Sequence, residues 1–74
     1  MSRYEVRETD PGGNQVHGYS YGIFNVSCFW QAAILTFRES GIRWEHNAPG
    51  NGPKTRVYRA EPAGRRFFLV KKID

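Results

Sequence analysis

One helical segment in the middle of the chain, flanked by segments that alternate in polarity, restricts the fold most. Ser27 is expected to cap a helix that runs from Cys28 to about Ser40, with Gly41 ending it. At about 100° per residue, its apolar side chains form one stripe, which consists of Phe29, Trp30, Ala33, Ile34 and Phe37. A helix with one apolar stripe must bury it, and we expect this helix to pack against a sheet.

The rest of the chain predicts strands. Strand-like patterns occupy residues 3–9, 15–21, 42–46, 55–60 and 65–73, and turn-forming residues separate them at 10–14, 47–53 and 61–64. The order β-β-α-β-β-β predicts an α+β fold: a small two-layer domain in which one helix covers an antiparallel sheet of four or five strands. With 74 residues, the chain has room for this single basic domain, residues 1–74, and for no second one.

Positive charge is concentrated in the last third of the chain. Residues 1–51 carry four basic and five acidic residues, whereas residues 52–74 carry seven basic and two acidic ones. This asymmetry predicts that the C-terminal hairpin contacts a nucleic acid or an acidic protein surface. The alternative is a solvated basic face that keeps the protein soluble. The candidate contacts for an anionic partner are Lys54, Arg56, Arg59, Arg65, Arg66, Lys71 and Lys72.

The predicted register of this hairpin adds a reason to expect an anion. A four-residue loop at 61–64 would place Arg59 opposite Arg66 and Tyr58 opposite Phe67. Directly opposed like charges destabilise a sheet, so an anion that bridges the two arginines would stabilise it. Tyr58 and Phe68 are the candidate aromatic contacts for stacking on a partner. The alternative is that one face of the hairpin, with its aromatic rings, belongs to the core, where Trp44 is also expected.

Cys28 is the candidate nucleophile. The segment 25–32 (Asn-Val-Ser-Cys-Phe-Trp-Gln-Ala) resembles the nucleophile helix of papain-like cysteine hydrolases, in which a cysteine opens a helix and aromatic and small residues follow. The resemblance implies a cysteine-dependent hydrolase in which Cys28 attacks and His46 is the general base, with His17 as the other candidate base. The alternative is that Cys28 is a small structural residue.

A third hypothesis is a small ribonuclease-like toxin. In that case His17 or His46 acts as a general acid or base beside arginines that bind phosphate. Small basic toxins have a similar composition.

Several classes of site are not predicted. One cysteine excludes an internal disulfide, and the two histidines do not form a zinc-binding spacing with it, so we expect neither a metal nor a cofactor. The first residues do not have the pattern of a signal peptide, and no apolar stretch is long enough to span a membrane, so we expect no membrane partner. The single cysteine is typical of a reducing compartment, and we expect a cytoplasmic protein. A small open sheet has two edges, and either edge allows a homodimer.

The favoured interpretation is a small non-catalytic binding module whose basic C-terminal hairpin contacts an anionic surface of a nucleic acid or nucleoprotein complex. In size and charge the chain resembles small accessory proteins of phages and mobile elements, many of which are stoichiometric inhibitors of host nucleoprotein machines, anti-CRISPR proteins among them. The resemblance is in size and charge, and it implies such an inhibitor. No motif in the sequence identifies a family.

Overall fold

The computed structural model describes residues 1–37, 41–61 and 66–74. They form five strands and one helix in the predicted order, and the α+β class is confirmed. The elements are β1 (Ser2–Thr9), β2 (Val16–Val26), α1 (Phe29–Thr36), β3 (Gly41–Trp44), β4 (Thr55–Glu61) and β5 (Arg66–Lys72).

All five strands belong to one antiparallel sheet with the order β2-β1-β5-β4-β3. The first and last strands of the chain therefore lie next to each other inside the sheet. The two edges are β2, which is 11 residues long, and β3, which is 4 residues long. The second strand is longer than predicted and continues to Val26, with Gly22 at a positive φ of 127° within it.

The core lies between α1 and one face of the sheet. Alternate residues of three strands point toward the helix and are buried, with Val6, Phe68 and Val70 completely inaccessible to solvent. Two small residues, Ala32 and Ala33, are the buried positions of the helix, and their size lets its backbone approach the sheet closely. Burying a side chain the size of Phe68 contributes roughly 1.5–3 kcal/mol.

The predicted stripe of the helix is only partly correct. Phe29 and Phe37 pack against the core on either side of the alanines, but Trp30 is 45% exposed and Ile34 is 36% exposed. The buried face is thus turned toward the alanines, because the two smallest side chains fit closest to the sheet. Trp30 and Ile34, which share the predicted stripe, lie at the rim of the core.

The ends of the helix also differ from the prediction. Cys28, not Ser27, occupies the N-cap position, and the N–H of Ser27 donates to Oε1 of Gln31 at 2.8 Å. The helix ends at Thr36, ahead of the predicted end at Ser40, and residues 38–40 lie outside the described part of the chain. Phe37 leaves the helical conformation, with φ −132° and ψ 55°, and its ring contacts Phe68 with a centroid distance of 4.7 Å.

Two loops cover part of the sheet face opposite the helix. The N–H of Gly50 donates to the carbonyl of Gly12 at 2.9 Å, which joins the turn at 10–14 to the loop that follows β3. Gly13 has a φ of 75°, and a Cβ at this position would collide with Cγ2 of Val57. Val57 is therefore buried although it points away from the helix.

Candidate functional site

The predicted register of the C-terminal hairpin is wrong by one residue. Arg59 pairs with Phe67 and Tyr58 pairs with Phe68, so Arg59 does not face Arg66. A one-residue slip moves every side chain of a strand to the other face of the sheet. In the observed register, Phe68 and Tyr58 lie on the helix face of the sheet, and both rings are buried. The predicted register would have placed Phe67 on that face in place of Phe68.

Tyr58 and Phe68 consequently do not offer rings to a partner. Tyr58 is 4% exposed and Phe68 is 0% exposed, and the two rings stack with a centroid distance of 5.9 Å. Burial raises the pKa of the Tyr58 hydroxyl above its ordinary value, an effect that nearby Arg56 opposes. Both rings stabilise the core beneath the helix, which corrects their assignment as aromatic contacts.

The side chain of Arg59 is surrounded by charges of the protein itself. It lies directly opposite Arg43 on β3. Its Nε is 3.8 Å from Oε2 of Glu45 and 3.9 Å from Oε2 of Glu61, and this buried nitrogen has no hydrogen-bond partner among the described residues. Two carboxylates therefore lie beside Arg59, the arginine for which the sequence predicted an external anion.

The seven predicted basic contacts are divided between the two ends of the hairpin. Arg59 and Arg66 lie near the connection between β4 and β5, and Arg65 is outside the described residues. The other four lie together where β4 begins and β5 ends, with the N–H of Lys72 donating to the carbonyl of Lys54 at 2.8 Å. Among the described residues, these four cations make no ion pair with a carboxylate; they are Lys54, Arg56, Lys71 and Lys72.

Arg56 is held in place by aromatic rings and carbonyl groups. Its guanidinium carbon lies 4.7 Å from the ring centroid of Phe29 and 5.6 Å from that of Trp44. Nη1 donates to the carbonyls of Gly52 at 2.6 Å and of Thr55 at 2.9 Å. Cation–π contacts and charge-assisted hydrogen bonds thus orient a half-buried positive charge beside the first turn of the helix.

Two tryptophans that the sequence assigned to the core are exposed beside this charge. Trp44 is 39% exposed, and its ring stacks on that of His46 with a centroid distance of 4.4 Å. Trp30 lies on the first turn of α1, with its ring 5.9 Å from that of Tyr58, which pairs with Trp44 across the sheet. Tryptophan is rarely fully buried because of its size, but nothing in the sequence distinguished these two rings from core residues.

Asn51 fixes the position of Trp44. Its Oδ1 accepts from the indole Nε1 of Trp44 at 3.3 Å and from the N–H of Val57 at 2.8 Å. Its Nδ2 donates to the carbonyls of Glu45 at 2.7 Å and of His46 at 3.1 Å. One side chain therefore closes the loop between β3 and β4 and orients the indole, a role for which the sequence showed only a loop composition.

We call this region the basic aromatic end. It is defined by its four unpaired cations and its three exposed rings, which are Lys54, Arg56, Lys71, Lys72, Trp30, Trp44 and His46. A cleft of about 670 Å³ adjoins it, between the loop after β3 and the turn at residues 11 and 12, and is lined in part by Trp44 and His46. Lys71 points to the opposite face of the sheet from Lys72, so the positive charge extends around the strand end.

Cys28 and His46 are both exposed, but no hydrogen bond joins them within the described part of the chain. Cys28 lies at the helix N-cap near the Tyr58 hydroxyl, and the His46 ring is stacked on Trp44. The side chain of His17, the other candidate base, lies outside the described part. The hydrolase and ribonuclease hypotheses remain predictions from the sequence.

Comparison with known proteins adds no identification. No protein family, no curated protein and no solved structure matches this chain. Within residues 1–37, 41–61 and 66–74, no three His, Cys, Asp or Glu side chains are grouped so that they could hold a metal ion, and no helix is long and apolar enough to cross a membrane.

Proposed function

We propose that this chain is a non-catalytic binding module that contacts nucleic acid through the basic aromatic end. The observation that supports the proposal is the juxtaposition of four unpaired cations with two exposed indoles. Elsewhere in the sheet, Arg3, Arg7 and Arg59 lie beside carboxylates of the protein. Among the described residues, Arg43 and Arg66 also make no ion pair, but they lie toward the other end of the hairpin, where Arg43 is opposite Arg59 and Arg66 is opposite Ala60. Only unpaired cations can neutralise a partner without first losing an internal ion pair.

The two kinds of side chain suit the two parts of a nucleotide. Lysine and arginine neutralise phosphates and release condensed counterions, which makes binding sensitive to salt. Exposed indoles stack on bases, and each such contact is worth about 1–3 kcal/mol. Because bases in a duplex are already stacked on each other, the exposed rings of Trp30 and Trp44 favour single-stranded DNA or RNA as the ligand.

The fixed geometry of Trp44 strengthens the argument. Its indole is held by Asn51 and flanked by Arg56 and His46, so its orientation is set before a ligand arrives. Preorganised side chains lose less conformational entropy on binding than mobile ones do. A solvated face that serves only solubility would not require an indole fixed by hydrogen bonding.

Fluorescence anisotropy of labelled single-stranded DNA, single-stranded RNA and duplex DNA tests the proposal, from about 50 to about 300 mM salt. We expect the single strands to bind more tightly than the duplex, with affinity falling steeply as salt rises. Lys72→Gln should weaken binding, whereas Arg66→Gln is the matched control because it removes the same charge from the other end of β5. Quenching of tryptophan fluorescence on binding would report stacking directly.

Two results would contradict the proposal. The first is no binding to any of the three nucleic acids at the lowest salt concentration. The second is equal weakening by Lys72→Gln and Arg66→Gln, because that would indicate a diffuse electrostatic contact rather than a site at one end of the hairpin. Binding to an acidic peptide in place of nucleic acid would assign the same surface to a protein partner.

A further inference from the structure

The edge strand β2 carries no charged side chain of the Asp, Glu, Lys or Arg type along its 11 residues. Edge strands of monomeric proteins are usually protected by short length, charged side chains or proline, because their unpaired N–H and C=O groups can pair with another strand. The other edge, β3, is short and carries Arg43. By comparison β2 is long and uncharged, and its side chains include exposed Tyr19 and Ile23.

The hydrogen bonds of β1 show which groups of β2 point outward. The N–H of Arg3 donates to Asp74 and its carbonyl accepts from Ile73, so the polar backbone groups of Arg3 point toward β5. These groups alternate along a strand, so those of Tyr4 point toward β2 and bond its partner Phe24. On either side of Phe24, two residues of β2 direct their N–H and C=O groups to the open edge: Ile23 and Asn25.

The regular part of this edge is short and symmetric about its middle residue. Pairing with β1 is uninterrupted from Gly22 to Val26, and it becomes irregular before Gly22, opposite the step from Val6 to Arg7. Phe24 is the centre of the regular stretch. A two-fold axis at Phe24 would therefore pair this stretch with the same stretch of a second molecule.

We propose that β2 pairs with β2 of a second copy of this chain, antiparallel and centred on Phe24, to form a continuous ten-stranded sheet. Ile23 of each copy then lies opposite Asn25 of the other, and each such pair exchanges two backbone hydrogen bonds. A strand without charges is suited to pairing with itself, since a symmetric interface brings identical residues close together.

The residues around the β2 edge are also compatible with a second copy of this chain as the partner. A two-fold axis perpendicular to the sheet keeps both helices on one face, side by side across the joint. Next to the edge, the partly exposed helix residues Ile34 and Leu35 share a cavity with Asn25 and Val26. Across the proposed interface, Ile34 and Leu35 would face the same two residues of the second copy. The cations of the basic aromatic end lie on or beside β4 and β5, so β1 stands between this charge and the interface.

Sedimentation velocity of the full chain from about 10 μM to about 1 mM tests the pairing. The wild type should shift with concentration from the monomer mass of 8.5 kDa toward twice that value. Ile23→Lys should hold the protein at the monomer mass, because lysine on an edge strand opposes pairing. Ile73→Lys is the matched control: it replaces another exposed isoleucine away from β2, and should dimerise like the wild type.

A second variant tests the register. Ile23→Lys combined with Asn25→Glu places opposite charges directly across the joint, and should restore the dimer. In the wild type, hydrogen exchange should slow with rising protein concentration at the amides of Ile23 and Asn25, which point outward. The amide of Phe24 points toward β1 and that of Gly22 donates to the Ser20 hydroxyl, so neither should respond to concentration.

A wild type that stays monomeric up to the highest concentration would overturn the proposal. So would an Ile23→Lys variant that dimerises as the wild type does, since another surface would then be responsible. Failure of the double variant to restore the dimer would overturn the pairing centred on Phe24. Circular dichroism confirms that each variant is folded before its mass is interpreted, and none of these outcomes depends on binding to nucleic acid.

Discussion

The two edges of the sheet are built in opposite ways. At the β3 edge, side chains are fixed by hydrogen bonds, and Trp44, Asn51 and Arg56 form an ordered cluster beside unpaired cations. At the β2 edge, charged side chains are absent from the strand and the backbone is the exposed polar surface. The difference indicates two modes of recognition: charged and aromatic side chains at one edge, and strand pairing at the other.

These two modes respond differently to perturbation. Contacts with phosphates weaken as salt rises, because each contact releases counterions. Hydrogen bonds between uncharged strands and burial of apolar side chains do not depend on counterion release. Substitutions and solution conditions can therefore separate the two edges, and the following predictions are ordered from the largest expected effect to the smallest.

The largest effect is expected at Asn51, the residue that closes the loop on the β3 side. Asn51→Ala removes four hydrogen bonds and leaves the part-buried N–H of Val57 without its acceptor. We expect the free energy of unfolding to fall by about 2–3 kcal/mol, measured by urea denaturation. Asn47→Ala, an exposed position in the same loop, is the control and should change stability little; equal effects of the two would contradict the assigned role of Asn51.

Trp44 should give the next largest effect. Trp44→Ala removes a stacking surface, and we expect affinity for a single strand to fall about tenfold, the equivalent of about 1.4 kcal/mol. Anisotropy titration at one salt concentration measures it. Tyr19→Ala removes an exposed ring from the β2 edge and should leave affinity unchanged. If Tyr19→Ala were the more damaging change, the binding surface would have to be moved to the other edge.

Lys54 should change the salt dependence more than the affinity itself. Lys54→Gln removes one unpaired cation, which should reduce the slope of log affinity against log salt by about 0.7 for a single strand. Dimer formation through β2, followed by sedimentation over the same salt range, should show no comparable slope. A dimer that dissociates steeply with added salt would mean that charge, rather than strand pairing, holds it together.

The smallest effect is expected at Asp10, in the turn that connects β1 to β2. Desolvation raises the pKa of this carboxyl, but hydrogen bonds from the backbone N–H groups of residues 13–15 outweigh it and hold the pKa below its ordinary value. A lowered pKa in the folded state means that the stabilisation is present above the unfolded pKa of about 4 and is lost as pH falls through the folded value.

Asp10→Asn should therefore reduce the loss of stability between about pH 5 and pH 2. Urea unfolding at several pH values measures the difference between the variant and the wild type. Identical acid dependence of the two proteins would show that Asp10 does not contribute to it.

Element order was predictable from the sequence because it depends on local periodicity. The alternation of residues 3–9 and the turn signals at 10–14, 47–53 and 61–64 gave the correct order of strands, although the second strand is longer than predicted. Register was not predictable in the same way, since it depends on how many residues the hairpin loop holds and on which rings the helix covers. The choice between Phe67 and Phe68 as the buried ring was therefore wrong, and Arg59 was assigned a neighbour that it does not have.

The candidate site was predictable only in part, for a related reason. Charge counts located the basic hairpin, but alternation along a strand cannot show which cations have a carboxylate beside them. The guanidinium of Arg59 on β4 lies beside the carboxylate of Glu45, which directly follows β3. The two residues are separated in the sequence, so this ion pair depends on the fold. The exposure of Trp44 likewise depends on Asn51, whose hydrogen bonds become visible only when the loop is folded.

The central claim is that nucleic acid binds at the basic aromatic end and not at the β2 edge. Titration of the isotope-labelled protein with a short single-stranded oligonucleotide, followed by two-dimensional amide NMR, tests it residue by residue. We predict chemical-shift changes at the indole N–H groups of Trp30 and Trp44 and at the amides of Lys54 and Lys72. Changes confined to residues 16–26, or none at oligonucleotide concentrations in large excess, would contradict the claim.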